Sequence, residues 1–147
     1  MMYLIDLARD SDGSVLATCR SFPELTTFGK DKDEASHHAI GALEEAIAAR
    51  IADGDPLPRP ATLAELKKHK GLMVKLPLMT SLKAHLYMTL KASGVSRAEL
   101  ARRLGWHREQ VDRLFRLDHS SRLDQLEAAF AALHQNLDVR VTERNVA

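Results

Sequence analysis

The sequence predicts an α+β fold followed by an all-α unit, on three observations. Short β-type runs separated by turn residues occupy positions 3–28, and a long amphipathic stretch follows them. From Thr80 onward nearly every apolar period is helical. The third observation is electrical. Residues 1–60 hold 6 Lys or Arg against 11 Asp or Glu, a net of −5, whereas residues 61–147 hold 15 against 9, a net of +6. A formal total of +1 therefore conceals an acidic part and a basic part.

Tyr3–Leu7 and Val15–Cys19 alternate well enough to be strands, and Asp10, Ser11, Asp12 and Gly13 between them supply the turn of a hairpin. Phe22, Pro23, Glu24 and Leu25 break that pattern before a short third strand at Thr26–Phe28. Asp31 with Glu34 forms a capping box that opens a helix over Lys32–Ala52, with Ile40, Leu43, Ile47 and Ile51 as its apolar stripe and Gly54 as its stop. Three prolines within Pro56–Pro60 favour an extended connection, either a linker or a strap laid across a surface. Thr62 with Glu65 caps a short helix that Gly71 ends. Met73–Leu76, closed by Pro77, then reads as a strand returning to the edge of the sheet.

Thr80 or Ser81 is expected to start a helix through Leu82, Leu86 and Leu90, which Gly94 terminates. Ser96 and Glu99 form the next capping box, Leu100, Ala101 and Leu104 one apolar face, and Gly105 a left-handed turn. Helical spacing resumes over His107–Phe115 through Val111, Leu114 and Phe115, and again through Leu123, Leu126, Phe130 and Leu133. Four helices around one core is the arrangement of lambda-repressor-like domains. The pair joined at Gly105 has the pattern of a DNA-binding helix-turn-helix, whose second helix enters the major groove. Leu137, Val139 and Val141 alternate with Asp138, Arg140 and Thr142, a terminal strand with nothing nearby to pair with. Pairing with its symmetry mate in a homodimer or higher homo-oligomer would satisfy it, a free tail being the alternative. The chain thus divides into residues 1–60, to which the strand at 73–76 can add, a linker at 61–79, and a helical unit at 80–147.

Registering that unit by its turn glycine on lambda-type repressors places Arg108, Glu109 and Arg113 where bases are touched, with His107 and Gln110 as secondary candidates. Arginine donates two hydrogen bonds to guanine and glutamate accepts from cytosine, so these residue types suit direct readout. Lys83, Lys91, Arg97, Arg102, Arg103 and Arg116 are weaker candidates for phosphate. Trp106 either packs beneath the turn or faces DNA.

Other chemistry is poorly supplied. A single cysteine, Cys19, allows no intramolecular disulfide, no apolar run approaches membrane-spanning length, and the first residues lack a signal-peptide core. The expectation is a soluble cytoplasmic protein with no membrane partner. Adjacent His37 and His38 point different ways on a helix, so neither a metal nor a cofactor is expected. A nuclease reading would need Asp6, Asp10, Asp12 and Glu24 to cluster around metal, and their places in or beside turns argue against an enzyme. A stand-alone transcription regulator with a ligand-sensing N-terminal unit is the other reading.

The segments YLIDLARDSDG, FPEL, DEASHHAIGALEEAIAARIADG and PLPRP resemble, in order, the N-terminal half of the HicB family of antitoxins. VKLPLMTSLKAHLYMTLKASGVSRAELARRLGWHREQVDRLFRLDHSSRLDQLEAAFAAL resembles the helix-turn-helix of the branch that carries one. The resemblance implies a degenerate ribonuclease-H-like N-terminal fold that neutralises a HicA-like toxin, a small basic messenger-RNA-cleaving ribonuclease. It implies a C-terminal part that binds the operator of its own operon as an autorepressor. An acidic N-terminal half agrees with a basic partner. Where the family has Pro-Gly-Cys, this chain has Thr26, Thr27 and Phe28.

Overall fold

Turn chemistry sets the first hairpin. In the computed structural model, which describes residues 1–144, the Asp10 amide donates to the Ser14 carbonyl at 2.8 Å and Gly13 takes a φ of 87°. The Asp12 carboxylate accepts from the Ser14 amide at 2.8 Å, and its hydrogen bonds to Ser14 hold it below the usual carboxylate range. This joins β1 (Met2–Arg9) to β2 (Val15–Cys19) with Asp6 opposite Thr18 and Arg9 opposite Val15.

The third strand is longer than the sequence predicts: β3 covers Phe22–Gly29, so Phe22–Leu25 continue the strand rather than interrupt it. A register shift at Thr18 and Cys19 absorbs the tight turn, and Phe22 still lies opposite Cys19. Pro23 is tolerated because β3 is an outer strand, where a missing amide donor need cost no ladder bond.

Asp31 accepts from the Glu34 amide at 2.9 Å and caps α1 (Lys32–Asp53), which ends at Gly54 with φ 76°. Its buried face is made by Ala35, Ala39, Leu43, Ala46, Ile47 and Ile51, whereas Ile40 packs at the margin. The alanines bring the helix axis close to the sheet. The closest approach is at Gly29, where a Cβ would run into the Ala35 backbone at its amide nitrogen.

Residues 55–61 form a strap rather than a free linker. Tyr3 donates its hydroxyl to the Pro58 carbonyl at 2.7 Å, and the Ala61 amide donates to the Met2 carbonyl at 2.9 Å. Burial of that phenol pushes its pKa up to about 12. After the capped α2 (Leu63–Lys68), β4 (Leu72–Lys75) pairs antiparallel with β1, Met2 opposite Lys75. The sheet therefore has four strands in the order β3-β2-β1-β4.

The next helix, α3 (Leu78–Ser93), starts directly after Pro77 rather than at Thr80 or Ser81. Both hydroxyls are used elsewhere: Thr80 donates to the Glu44 carboxylate of α1 at 2.5 Å and Ser81 donates to the Leu76 carbonyl at 3.4 Å. Three shorter helices follow, α4 (Arg97–Leu104), α5 (Arg108–Leu114) and α6 (Leu123–Ala132). Leu86, Leu90, Leu100, Val111, Leu114, Leu126 and Phe130 fill their shared interior, and the buried apolar cluster runs unbroken from Tyr3 to Leu133. The terminal strand expected over Leu137–Thr142 does not form in the single chain: this segment has no regular secondary structure, and Val139 and Val141 are exposed.

Gly29→Ala should destabilise the chain by about 1–3 kcal/mol, because the added methyl meets α1 backbone that cannot yield. Gly41→Ala, on the same helix with nothing within 4 Å of its Cβ, is the control and should be neutral or slightly stabilising. Chemical denaturation compares them; equal effects would contradict the close approach.

Candidate nucleic-acid interface

Ser96 accepts from the Glu99 amide at 3.1 Å, which starts α4. The return half of the expected capping box is absent, because the Glu99 carboxylate is turned to Arg102 and Arg103. Hydrogen bonds from those two guanidinium groups lower its pKa to about 2. Gly105 takes φ 66° and the Trp106 amide donates back to the Ala101 carbonyl at 3.0 Å, so the chain reverses within two residues. Trp106 is half-buried and packs against the core beneath the turn.

The first turn of α5 is capped by Gln110, whose Oε1 accepts from the His107 amide at 2.8 Å. Val111 and Leu114 are buried against α4, with Leu100 and Ala101 facing them. His107, Arg108, Glu109 and Arg113 are exposed, while Gln110 is partly buried and engaged in the cap. Arg108 Nε donates to Asp112 Oδ1 at 3.1 Å, and Arg97 Nη1 donates to the same oxygen at 3.2 Å. Burial alone would raise the Asp112 pKa, but those two hydrogen bonds keep it below the ordinary carboxylate range. Among the described residues, neither Glu109 nor Arg113 forms an ion pair.

The weaker phosphate candidates are nearly all engaged within the chain. Lys91 Nζ donates to the Gly54 carbonyl at 2.8 Å, Arg103 Nη1 to the Ala132 carbonyl at 3.0 Å, and Arg116 pairs with Asp118 at 2.9 Å. Lys83 points inward. It is fully buried, and its ammonium donates to the carbonyls of Arg113, Arg116 and His119 at 3.0, 2.6 and 2.5 Å. It thereby caps the C-terminal end of α5 and fixes the turn that follows. Burial lowers its pKa to about 8, with Asp118 opposing, so the group stays charged at neutral pH. Sequence reasoning missed this role, although a signal was available: Lys83, Leu86, Tyr87 and Leu90 share one helical arc.

The carboxylates a metal-dependent nuclease would need are dispersed. Asp6 pairs with Arg20 at 3.1 Å, Glu24 takes Arg50 through both oxygens at 2.7 and 3.0 Å, and Asp10 and Asp12 serve the hairpin turn. Among the described residues no three metal-ligating side chains come together. His38 Nδ1 lies 2.6 Å from the Phe28 carbonyl oxygen, apart from His37 in role as well as direction.

A profile of the HicB-like antitoxins of bacterial toxin-antitoxin systems matches residues 2–85. The chain belongs to this family. Antitoxin HicB of Pseudomonas fluorescens (strain Pf0-1) is 37% identical over 128 residues, covering 87% of this chain and 86% of that protein. Antitoxin HicB of Escherichia coli (strain K12) is 29% identical over 139 residues, covering 95% and 98%. Antitoxin HicB 2 of Photorhabdus laumondii is 30% identical over 139 residues, covering 95% of each chain.

The HicB-family profile takes in the sheet, α1, α2 and the first half of α3, and the relatives' alignments extend into the helical part that carries α4 and α5. No helix among the described residues is long and apolar enough to cross a membrane. In this HicB-family chain, Lys83→Met should cost about 1–3 kcal/mol by leaving three carbonyls without their donor while keeping the side-chain volume. Thermal or urea denaturation measures it; an unchanged midpoint would mean that the ammonium is dispensable to the α5 terminus.

Proposed function

We propose that this HicB-family antitoxin neutralises a small, basic, HicA-like messenger-RNA-cleaving ribonuclease and represses its own operon by binding operator DNA. On this reading residues 1–60, with the strand near 73–76, form a degenerate ribonuclease-H-like toxin-binding unit, residues 61–79 the connection, and residues 80–147 a lambda-repressor-like helix-turn-helix unit that also dimerises. The protein works in the cytoplasm, as a binding protein and not an enzyme. The observation that carries the DNA-binding half is the disposition of α5: Val111 and Leu114 bury its underside, while Arg108, Glu109 and Arg113 stand exposed. Arginine on such a helix donates two hydrogen bonds to guanine O6 and N7, and Glu109 accepts from cytosine N4. His107 and Gln110 lie at the helix start, where phosphate is met, Gln110 acting there through the cap it forms.

A dimer multiplies a short readout. Two recognition helices held about 34–36 Å apart read two half-sites on one face of the duplex. Residues 137–142, without regular secondary structure in the single chain, supply a strand that a second copy can complete. For the other partner, the net charge of −5 over residues 1–60 favours a cationic protein surface. Glu24, Asp6 and the turn aspartates serve structural contacts, which supports inhibition by occlusion rather than catalysis.

Arg108→Ala should reduce the preference for operator over scrambled duplex by about 1–3 kcal/mol and relax one operator position. Gel-shift titration reads this, and an unchanged ratio would mean that α5 is misplaced. Where a short basic reading frame adjoins this gene, co-expression with this protein should abolish that frame's toxicity. Growth arrest that persists with this protein present would remove the neutralising role.

A further inference from the structure

Asp112 has two guanidinium partners of unequal freedom. Arg97 is anchored on other sides as well: Nη2 donates to the Ile51 carbonyl at the end of α1 at 3.5 Å, and its guanidinium carbon lies 4.7 Å from the centroid of the Phe115 ring. Its side chain is 26% exposed, against 56% for Arg108. The first is the fixed partner of the carboxylate and the second the movable one.

We propose that Arg97 is a positioning residue for base recognition: by holding Asp112 it lets Arg108 leave that carboxylate for a base edge. The inference rests on the reading of α5 as the DNA-contacting helix. An arginine paired with a lone carboxylate four residues along a helix is held back along the helix axis, and moving it to DNA leaves the carboxylate without a counter-charge near phosphate. A second guanidinium on the same oxygen removes both penalties. Asp112 is already compensated, so it holds Arg108 less tightly and remains paired after Arg108 departs. Arg97 in turn takes its place from α1 and from Phe115, so the readiness of α5 to engage DNA depends on how the N-terminal layer is seated. Glu99, the nearest acidic group on α4, is occupied by Arg102 and Arg103 and does not compete for Arg97.

The test uses the full chain and fluorescence anisotropy on two duplexes. One comes from the region immediately upstream of its own reading frame, and the other is a shuffled sequence of the same composition. Arg97→Gln should lower the preference for the upstream duplex about three- to fivefold, the scale of one partly exposed ion pair. Adding Asp112→Asn to that variant should restore the preference, because no carboxylate is left to retain Arg108. A folding defect could not be repaired this way, since Asp112→Asn returns neither the Ile51 contact nor the Phe115 contact. Equal loss of affinity for both duplexes, or no recovery in the double variant, overturns the role of Arg97. If Arg108→Ala loses the preference while Arg97→Gln keeps it, the role of Arg97 alone is overturned. If the wild-type chain shows no preference at all, the reading of α5 falls and the role of Arg97 falls with it.

Discussion

The structure turns on the carboxyl-terminal end of α1. A helix leaves its last carbonyls without partners in the helix, and its dipole places partial negative charge there. Gly54 turns the chain away, and the helical half supplies donors. Arg97 reaches Ile51, Lys91 reaches Gly54, and the Tyr87 hydroxyl donates to Asp55 at 2.8 Å. Arg50, the cation of the last turn, goes the other way. It grips Glu24 on β3 and the Pro56 carbonyl of the strap while lying 5.0 Å from the centroid of Phe22. Sheet, strap and helices thus meet at one helix terminus, and the continuous core from Tyr3 to Leu133 follows from that seating.

The basic half illustrates why a charge count is a poor count of phosphate contacts. Much of its positive charge neutralises helix ends and neighbouring carboxylates: Lys83 at the end of α5, Lys91 at the end of α1, Arg103 at the end of α6, Arg102 on Glu99. Buried Lys83 apart, exposed pairs such as Arg102 with Glu99 contribute little stability individually, yet they fix where the remaining charge can point. On α5 that leaves Arg113 and Glu109 facing solvent with no ion pair among the described residues, and Arg108 held by a single shared oxygen.

Local chemistry made most elements legible. Caps at Asp31, Thr62 and Ser96 and left-handed glycines at Gly54, Gly94 and Gly105 bound their helices where the sequence implies. Departures occur where a distant partner overrides a local signal. Thr80 and Ser81 look like caps but bond to Glu44 and Leu76, and Pro23 looks like a strand breaker but sits on an outer strand. The apolar and charged residues at positions 108–114 were readable as an exposed second helix from spacing alone. The shared carboxylate at Asp112 was not, because Arg97 belongs to another helix and owes its direction to Ile51 and Phe115.

On the proposed function the outward face of α5 meets a duplex while the sheet does not. Titrating the isotopically labelled full chain with its own upstream duplex and following backbone amide shifts by nuclear magnetic resonance addresses it directly. Perturbations are expected to concentrate at Ser96–Arg97 and His107–Arg113, with β1, β2 and β3 silent. Shifts centred on the strands, with α5 unmoved, would contradict it.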